Sequence, residues 1–406
     1  MKRLLNLLMG MALFPNLYAQ VPCNKYLFST EIEEKLQSNT STRQLQHLAV
    51  DFSFIGAYKK VLEMDERFVL AHEALKKKKT KVSADFSMYQ AVDALIEIEK
   101  RAKEHSIVII NEAHYSAQNR LFTSQLLERL YAQGYQTVFL EGLHDEDKNS
   151  LKKRTYPLIS AGTYFREAQY GNLFRRAVAK GYAVLPYDQQ EDTAEADPLK
   201  RWYSREEGQA DCILRYLKVH PSAKIIIHCG YGHLNETIHE GDIIGNLGAI
   251  IKQKSGINPL TINQEEWLET HSNKTANPYR LLIEEQRIKS ISVFKNREGE
   301  LFSTNPTGYD MNVYFPPTTY VIGRPMWLFT LSEKRGVAVP YHQINATFPY
   351  LLFAYKEGDD SEATPVDVLE IKSSMDRKIL ALEKGRYQLL VKSLDGQVQR
   401  LPLEVN

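Results

Sequence analysis

Residues 107–120 read Ile-Val-Ile-Ile-Asn-Glu-Ala-His-Tyr-Ser-Ala-Gln-Asn-Arg. Ile107–Ile110 is an unbroken β-branched and valine run, the pattern of a strand buried on both faces rather than alternating in and out of water. The run stops at a carboxylate and an imidazole, Glu112 and His114, and a helical pattern follows. Leu121, Phe122, Leu126, Leu127 and Leu130 share one face of that helix, and Gly134 stands where a helix-ending glycine is expected.

The same unit recurs. Thr137–Leu140 is a second apolar run and ends in Glu141-Gly142. Leu173–Lys180 is helical and closed by Gly181, and Tyr182–Leu185 leads into Pro186-Tyr187-Asp188. A Ser204/Glu207 capping-box pattern opens the next predicted helix, with Ala210, Ile213, Leu214 and Leu217 on its apolar face. Lys224–Ile227 ends in His228-Cys229-Gly230-Tyr231-Gly232-His233, and Ile243–Lys254 is a helix closed by Gly256. Strand–helix alternation of this kind predicts an α/β domain with a mainly parallel sheet and helices on both faces. Ligands of open α/β sheets bind beyond the carboxyl ends of the strands. All four runs end in polar residues at that edge. A long insertion, residues 143–170, carries Tyr156, Tyr164, Arg166 and Tyr170 and is a candidate binding wall; the acidic Asp188–Trp202 segment is another.

The flanks differ. Lys2 and Arg3, the apolar Leu4–Phe14 and the turn at Pro15–Ala19 make a secretory signal with cleavage expected after Ala19. Cys23 follows Gln20-Val21-Pro22, which are not the small residues that lipid attachment needs. No second long apolar run exists, so the exported chain, periplasmic or secreted, is expected to be soluble. Residues 20–104 read as helical: Thr30 and Glu33 form a capping-box pattern, Asp51–Leu75 is one helix, and Ser87–Lys103 is another with Met88 and Ile96 on its apolar face. The α/β domain is assigned to 105–335, with Asn312–Phe315 and Met326–Leu331 as further strands. Residues 345–406 read as a small C-terminal β-sandwich, with a hairpin cue at Asp395-Gly396.

Composition narrows the function classes. The chain has 406 residues, 43% hydrophobic and 25% charged, with formal net charge +1. That balance supplies no electrostatic case for nucleic acid. Cys23, Cys212 and Cys229 are the only cysteines, too few for a disulfide framework, although a Cys212–Cys229 bridge is open to an oxidising compartment.

Glu112 and His114 are two apart, so at a strand end they point the same way. Such a pair can polarise a water, the carboxylate fixing one imidazole tautomer, or ligate a metal; it can also be a helix cap beside a hydrogen-bonded loop histidine. Glu141, directly after a buried run, needs a cation, a donor or a raised pKa, and Arg120 is a candidate counter-charge. His228 and His233 frame a glycine-rich turn whose exposed N–H groups suit an oxyanion. Their spacing of five fits no zinc pair on one helix, and His228 can equally be a core histidine. No Gly-x-Ser-x-Gly elbow and no phosphate-binding Gly-x-x-x-x-Gly-Lys loop is present, so hydrolysis would use activated water.

Asn-Glu-Ala-His at 111–114, Leu-Glu-Gly at 140–142 and Gly-Tyr-Gly-His at 230–233 together resemble the erythromycin esterase/ChaN-like superfamily, distantly the Tiki/TraB group, over residues 105–330. The resemblance implies a hydrolase acting on an ester or amide of a small molecule or peptide, with His114 as the base on water and Glu112, Glu141 and His233 supporting it. Arg120, Tyr164, Arg166, Tyr187 and His228 are the expected substrate contacts. Tiki-like members imply a divalent metal on the equivalents of Glu112, His114, Glu141 and His233, and ChaN-like members imply haem, so a non-catalytic haem- or metal-binding protein is the alternative. Asn111 stands where the family has glycine, and the insertion and both flanks lack a counterpart, so the substrate does not carry over.

Overall fold

The structure is a computed structural model that describes residues 25–36, 40–76, 86–144, 154–188, 196–238, 245–272, 279, 282–283 and 288–406. The signal sequence, Cys23 and parts of the 143–170 and 188–202 segments lie outside the described residues. In chain order the elements are α1 (Ser29–Glu34), α2 (Thr42–Phe54), α3 (Tyr58–Lys76), β1 (Gln90–Asp93), α4 (Ala94–Arg101), β2 (Ile107–Glu112), α5 (Ala117–Tyr131), β3 (Tyr135–Leu140), α6 (Ala168–Lys180), β4 (Ala183–Pro186), α7 (Pro198–Val219), β5 (Lys224–Gly230), α8 (Leu247–Ser255), β6 (Leu260–Asn263), β7 (Ser292–Lys295) and β8 (Met311–Asn312). After them come β9 (Tyr320–Val321), β10 (Arg324–Pro325), α9 (Trp327–Thr330), β11 (Arg335–Ala338), β12 (Tyr350–Lys356), β13 (Asp367–Ile371), β14 (Ile379–Leu382), β15 (Gly385–Ser393) and β16 (Val398–Val405).

The central sheet has six strands in the order β4-β3-β5-β2-β6-β8, and every pair is parallel. Side-chain alternation divides the work of β2. Val108 and Ile110 pack with Phe122, Leu126 and Leu127 of α5 and with α6. Ile107 and Ile109 pack with Ala210 and Ile213 of α7 and Ile250 of α8 on the other face. All four are fully buried, worth about 2 kcal/mol each by area removed from water. The result is a three-layer α/β/α domain in which β2, β5 and β3 are adjacent, so their carboxyl ends converge. Among the described residues no helix is long and apolar enough to cross a membrane.

The C-terminal strands form antiparallel sheets, β13-β12-β15-β16 and the pair β11-β14, which share one apolar core through Leu352, Leu369, Leu380 and Leu389. The opposite face of the larger sheet, with Leu351, Phe353, Val368 and Leu390, packs on α1–α3 and on Ala113 and Tyr115 beside the end of β2. The helices therefore bridge the two sheets.

Several local expectations are corrected. Residues 51–75 are not one helix: Gly56, at φ 66°, separates α2 from α3. Residues 90–93 are a strand paired with β7, not helix, because Asp93 accepts from Ile96 N–H and starts α4 there; Met88 and Ile96 are 63% and 59% exposed. The first helix is capped by Glu31 on Phe28 N–H at 2.7 Å, not by Thr30 with Glu33. Ser204 lies inside α7, which starts earlier at Pro198 with Asp197 as its cap; proline at the first helical position and an aspartate cap outweigh the later pattern. Residues 326–331 hold the short helix α9 rather than a strand. β6 is a sheet member that the sequence reading did not assign.

Candidate functional site

The site begins at the end of β2. Arg120, on the first turns of α5, donates from Nε to Glu112 Oε2 at 2.7 Å and from Nη2 to Glu112 Oε1 at 2.6 Å. Its Nη1 reaches Glu167 Oε2 at 3.0 Å, its Nη2 also reaches the His114 carbonyl at 2.7 Å, and the guanidinium lies 4.5 Å over the Tyr170 ring. Burial pushes the Glu112 carboxyl up, but Arg120 outweighs it and holds the group at about 2. Glu112 is therefore an anion, and its Oε1 lies 3.1 Å from His114 Nδ1. The i, i+2 geometry expected of a strand end is realised.

A second corner forms at the ends of β3 and β5. Glu141 Oε1 accepts from Arg205 Nη2 at 2.8 Å, and its Oε2 accepts a short hydrogen bond from Gly230 N–H. His233 lies with Nε2 3.5 Å from Glu141 Oε1 and Nδ1 2.5 Å from Glu206 Oε1. Burial disfavours the charged ring, yet Glu141 and Glu206 outweigh it and raise His233 to about 10. Arg205 Nη1, 3.2 Å from Nε2, is a contact a neutral ring would accept; two flanking carboxylates outweigh one guanidinium, and the imidazolium is the form assigned. Burial also pushes Glu141 up, and His233, His114 and Arg205 together hold it well below the usual carboxylate range. His114 Nε2 is 3.9 Å from Glu141 Oε1, so this carboxylate separates the two histidines.

His228 lies beneath both corners, 1% exposed, its Nε2 3.5 Å from Glu112 Oε2. Burial lowers its pKa to about 4, so the ring is neutral near pH 7. Asn111, where the resembled family has glycine, ties the floor together: Nδ2 donates to the Tyr231 carbonyl at 2.7 Å, and Oδ1 accepts from Gln264 N–H at 2.8 Å. Tyr231 is thereby held at φ 44°, a left-handed conformation that costs a non-glycine residue on the order of 1–3 kcal/mol.

The cleft above this floor encloses about 410 Å³ and is lined, among the described residues, by Arg43, Gln46, His47 and Val50 of α2 and by His114, Gly142, His144, Thr163, Tyr164, Asp188 and Tyr231. His114 lines it; Glu112, Glu141 and His233 stand behind. Of the expected substrate contacts, Tyr164 alone lines the cleft. Arg120, Tyr187 and His228 are all but fully buried, and Tyr187 is bound to the His228 carbonyl at 3.3 Å. Arg166 turns away: its guanidinium lies 4.3 Å over Phe54, and Nη1 donates to the Lys25 carbonyl. Arg120 counters Glu112 and Glu167, not Glu141. Arg205, Glu206 and Glu167 were missed, since nothing local in a helix marks a side chain that returns to a strand end. Cys212 and Cys229 are both free thiols, and no bridge joins them.

The four residues considered as metal ligands do not fit a divalent ion. Both oxygens of Glu112 are held by Arg120, both of Glu141 by Arg205 and Gly230, and the two ring nitrogens of His233 face Arg205 and Glu206. Only His114 Nε2 is uncommitted, and among the described residues no group of three or more His, Cys, Asp and Glu has the arrangement of a metal site. Haem is matched in ligand type alone: His47, His114 and His144 line the cleft, but Val50 is the one aliphatic side chain in the described lining, so little apolar surface is offered to a macrocycle.

No family model matches the chain, and no curated protein matches it. Among solved structures it is similar to the type III effector HopBA1, with 14% identity over 47% of this chain and 89% of that one and a TM-score of 0.32. It is also similar to RRSP, a MARTX toxin effector domain from Vibrio vulnificus CMCP6, with 15% identity over 58% of this chain, 45% of that one and a TM-score of 0.32. A structure described as bacterial protein toxins shares 16% identity over 54% of this chain and 45% of that one, again with a TM-score of 0.32. Overlap of this extent defines neither a family nor an activity for the chain.

Proposed function

We propose that the protein is an exported hydrolase of the erythromycin esterase/ChaN-like type that cleaves an ester or amide with water activated by His114. The observation that carries the proposal is the state of the His114 ring. It lines the cleft, its Nδ1 lies 3.1 Å from the ionised Glu112, and its Nε2 has no hydrogen-bond partner among the described residues. That is the arrangement of a general base whose tautomer is fixed by a carboxylate. In the reaction, water attacks the carbonyl carbon while its proton passes to Nε2. The imidazolium formed is stabilised by Glu112, which Arg120 keeps anionic. The carbon–oxygen or carbon–nitrogen bond then breaks, and the leaving group takes the proton from Nε2. His233 and Arg205 balance the charge of Glu141, whose Oε1 lies 3.9 Å from Nε2 and adds to the support for the imidazolium as it forms. Export rests on the Lys2–Ala19 signal pattern.

The test is a panel of esters and peptides offered to wild type and to His114→Ala. Wild type should turn over at least one substrate, and the variant should lose about 10²–10⁴-fold in kcat/KM with an unchanged circular-dichroism spectrum. Equal turnover by the two proteins would remove His114 from the mechanism. N-terminal sequencing of the protein from a cell fraction outside the cytoplasm checks export.

A further inference from the structure

Tyr164 lines the cleft, which by itself suggests a substrate wall. Its contacts point elsewhere. The Tyr164 and His114 rings are stacked, with centroids 4.0 Å apart and planes 21° apart. On the other side the imidazole meets backbone: a Cβ at Gly230 would stand 2.2 Å from His114 Cε1 and 2.4 Å from Nε2. Tyr231 closes the edge, with centroids 4.9 Å apart at 85°. Two more glycines give the tyrosine its place. Gly142, at φ 71°, approaches so closely that a Cβ there would be 3.0 Å from Tyr164 Cδ2, and a Cβ at Gly162 would be 1.7 Å from the Gly142 carbonyl oxygen.

A hydrogen bond from one ring nitrogen fixes a point, not a plane. With Nδ1 on Glu112 alone, the imidazole is free to rock about that contact and carry Nε2 away from the cleft. A flat ring on one face and a backbone on the other remove this freedom. We propose that Tyr164 is a positioning residue for His114: with Gly230 it forms a slot that sets the imidazole plane, and its contribution comes from the ring rather than the hydroxyl. The proposal rests on His114 being the base. Misplacement of a reacting group by about 1 Å costs about 100-fold in rate. The charged groups that face His114 are Glu112, Glu141 at 3.9 Å and Arg120, which donates to its carbonyl; none of them is altered by substitution at 164.

The experiment uses the full chain with Tyr164→Leu, Tyr164→Phe and Gly230→Ala. It follows kcat and KM, and separately the proton-NMR chemical shifts of the His114 ring, assigned by their loss in His114→Ala and displaced by the ring current of the stacked Tyr164. Tyr164→Leu should lower kcat about 10–100-fold, leave KM within about twofold, and move the His114 ring-proton shifts back towards those of an unstacked imidazole. Tyr164→Phe, which keeps the ring, should recover most of the kcat that Tyr164→Leu loses, and Gly230→Ala should resemble Tyr164→Leu. A raised KM at constant kcat in Tyr164→Leu would make the residue a substrate wall, and equal losses in the Phe and Leu variants would assign the effect to the hydroxyl; either overturns the proposal. If wild type turns over nothing, the hydrolase reading has failed, but the spectra still decide the slot: His114 ring-proton shifts unmoved in Tyr164→Leu refute it.

Discussion

Two carboxylate–histidine corners meet at one sheet edge, and they are wired in opposite senses. In the β2 corner an arginine grips the carboxylate: Arg120, fully buried, occupies both oxygens of Glu112, and only then does Glu112 meet His114. In the β3/β5 corner two carboxylates grip the histidine: Glu141 and Glu206 flank His233 and charge it. One corner thus leaves a ring nitrogen open to the cleft, and the other produces a fixed cation with no proton to accept. The difference teaches that residue type alone does not assign a role. Glu and His at adjacent strand ends become base and electrostatic support according to where the guanidinium stands.

The comparison is broken most severely by removing the buried cation. Arg120→Met leaves Glu112 and Glu167 buried without a counter-charge, which should cost about 3–5 kcal/mol of stability, read as a fall in the urea midpoint at pH 7. The matching change in the other corner should cost less. Arg205 is 18% exposed at its side chain, and Glu141 keeps Gly230 N–H and His233 when it is lost, so Arg205→Met should cost about 1–3 kcal/mol.

The two corners also fail at opposite ends of the pH scale. Glu112 is lowered from 4.5 to about 2, so its contribution is present above pH 4.5 and is lost as pH falls towards 2. His228, lowered from 6.5 to about 4, acts in the same direction: the native state resists its protonation, and stability falls between pH 6.5 and 4. His233, raised from 6.5 to about 10, contributes fully below pH 6.5 and loses that contribution as pH rises through 10. Urea midpoints measured from pH 6.5 to 10 should decline in wild type, and the decline should be shallower by one proton in His233→Gln. Parallel declines would mean that His233 is not the alkaline group.

The strands of this edge were legible because β2, β3 and β5 are buried on both faces and so read as continuous apolar runs. β6, Leu-Thr-Ile-Asn, was not, since a four-residue run broken by threonine gives no periodic signal. Glu112 and His114 were legible together because their proximity is local. The partners were not: Arg205 is 64 residues from Glu141, and only the return of α7 across the sheet brings them together. Arg120 is close to Glu112 on the chain, yet a sequence offers no way to choose Glu112 over Glu141 for it, because that choice depends on β5 being inserted between β2 and β3. The helix starts misled for a related reason. Ser-x-x-Glu at 204–207 is a capping pattern wherever it falls, and whether it caps is settled by whether a better start, here Asp197-Pro198, lies upstream.

Arg166 supplies the smallest effect and the cleanest control on the two-corner view. It belongs to the same insertion as Tyr164, two residues away, and was expected at the substrate. Its guanidinium instead covers Phe54 at 4.3 Å and donates to the Lys25 and Thr163 carbonyls, so it fastens the insertion to the N-terminal helices. A half-exposed cation–π contact of this kind is worth about 0.5–1 kcal/mol. Arg166→Ala should therefore lower stability by about that amount and leave kcat and KM within about twofold of wild type. A large rise in KM would bring Arg166 into the cleft and show that the insertion closes over the substrate. A small, purely structural loss would leave recognition to the residues that line the cleft, with catalysis confined to the two corners behind His114.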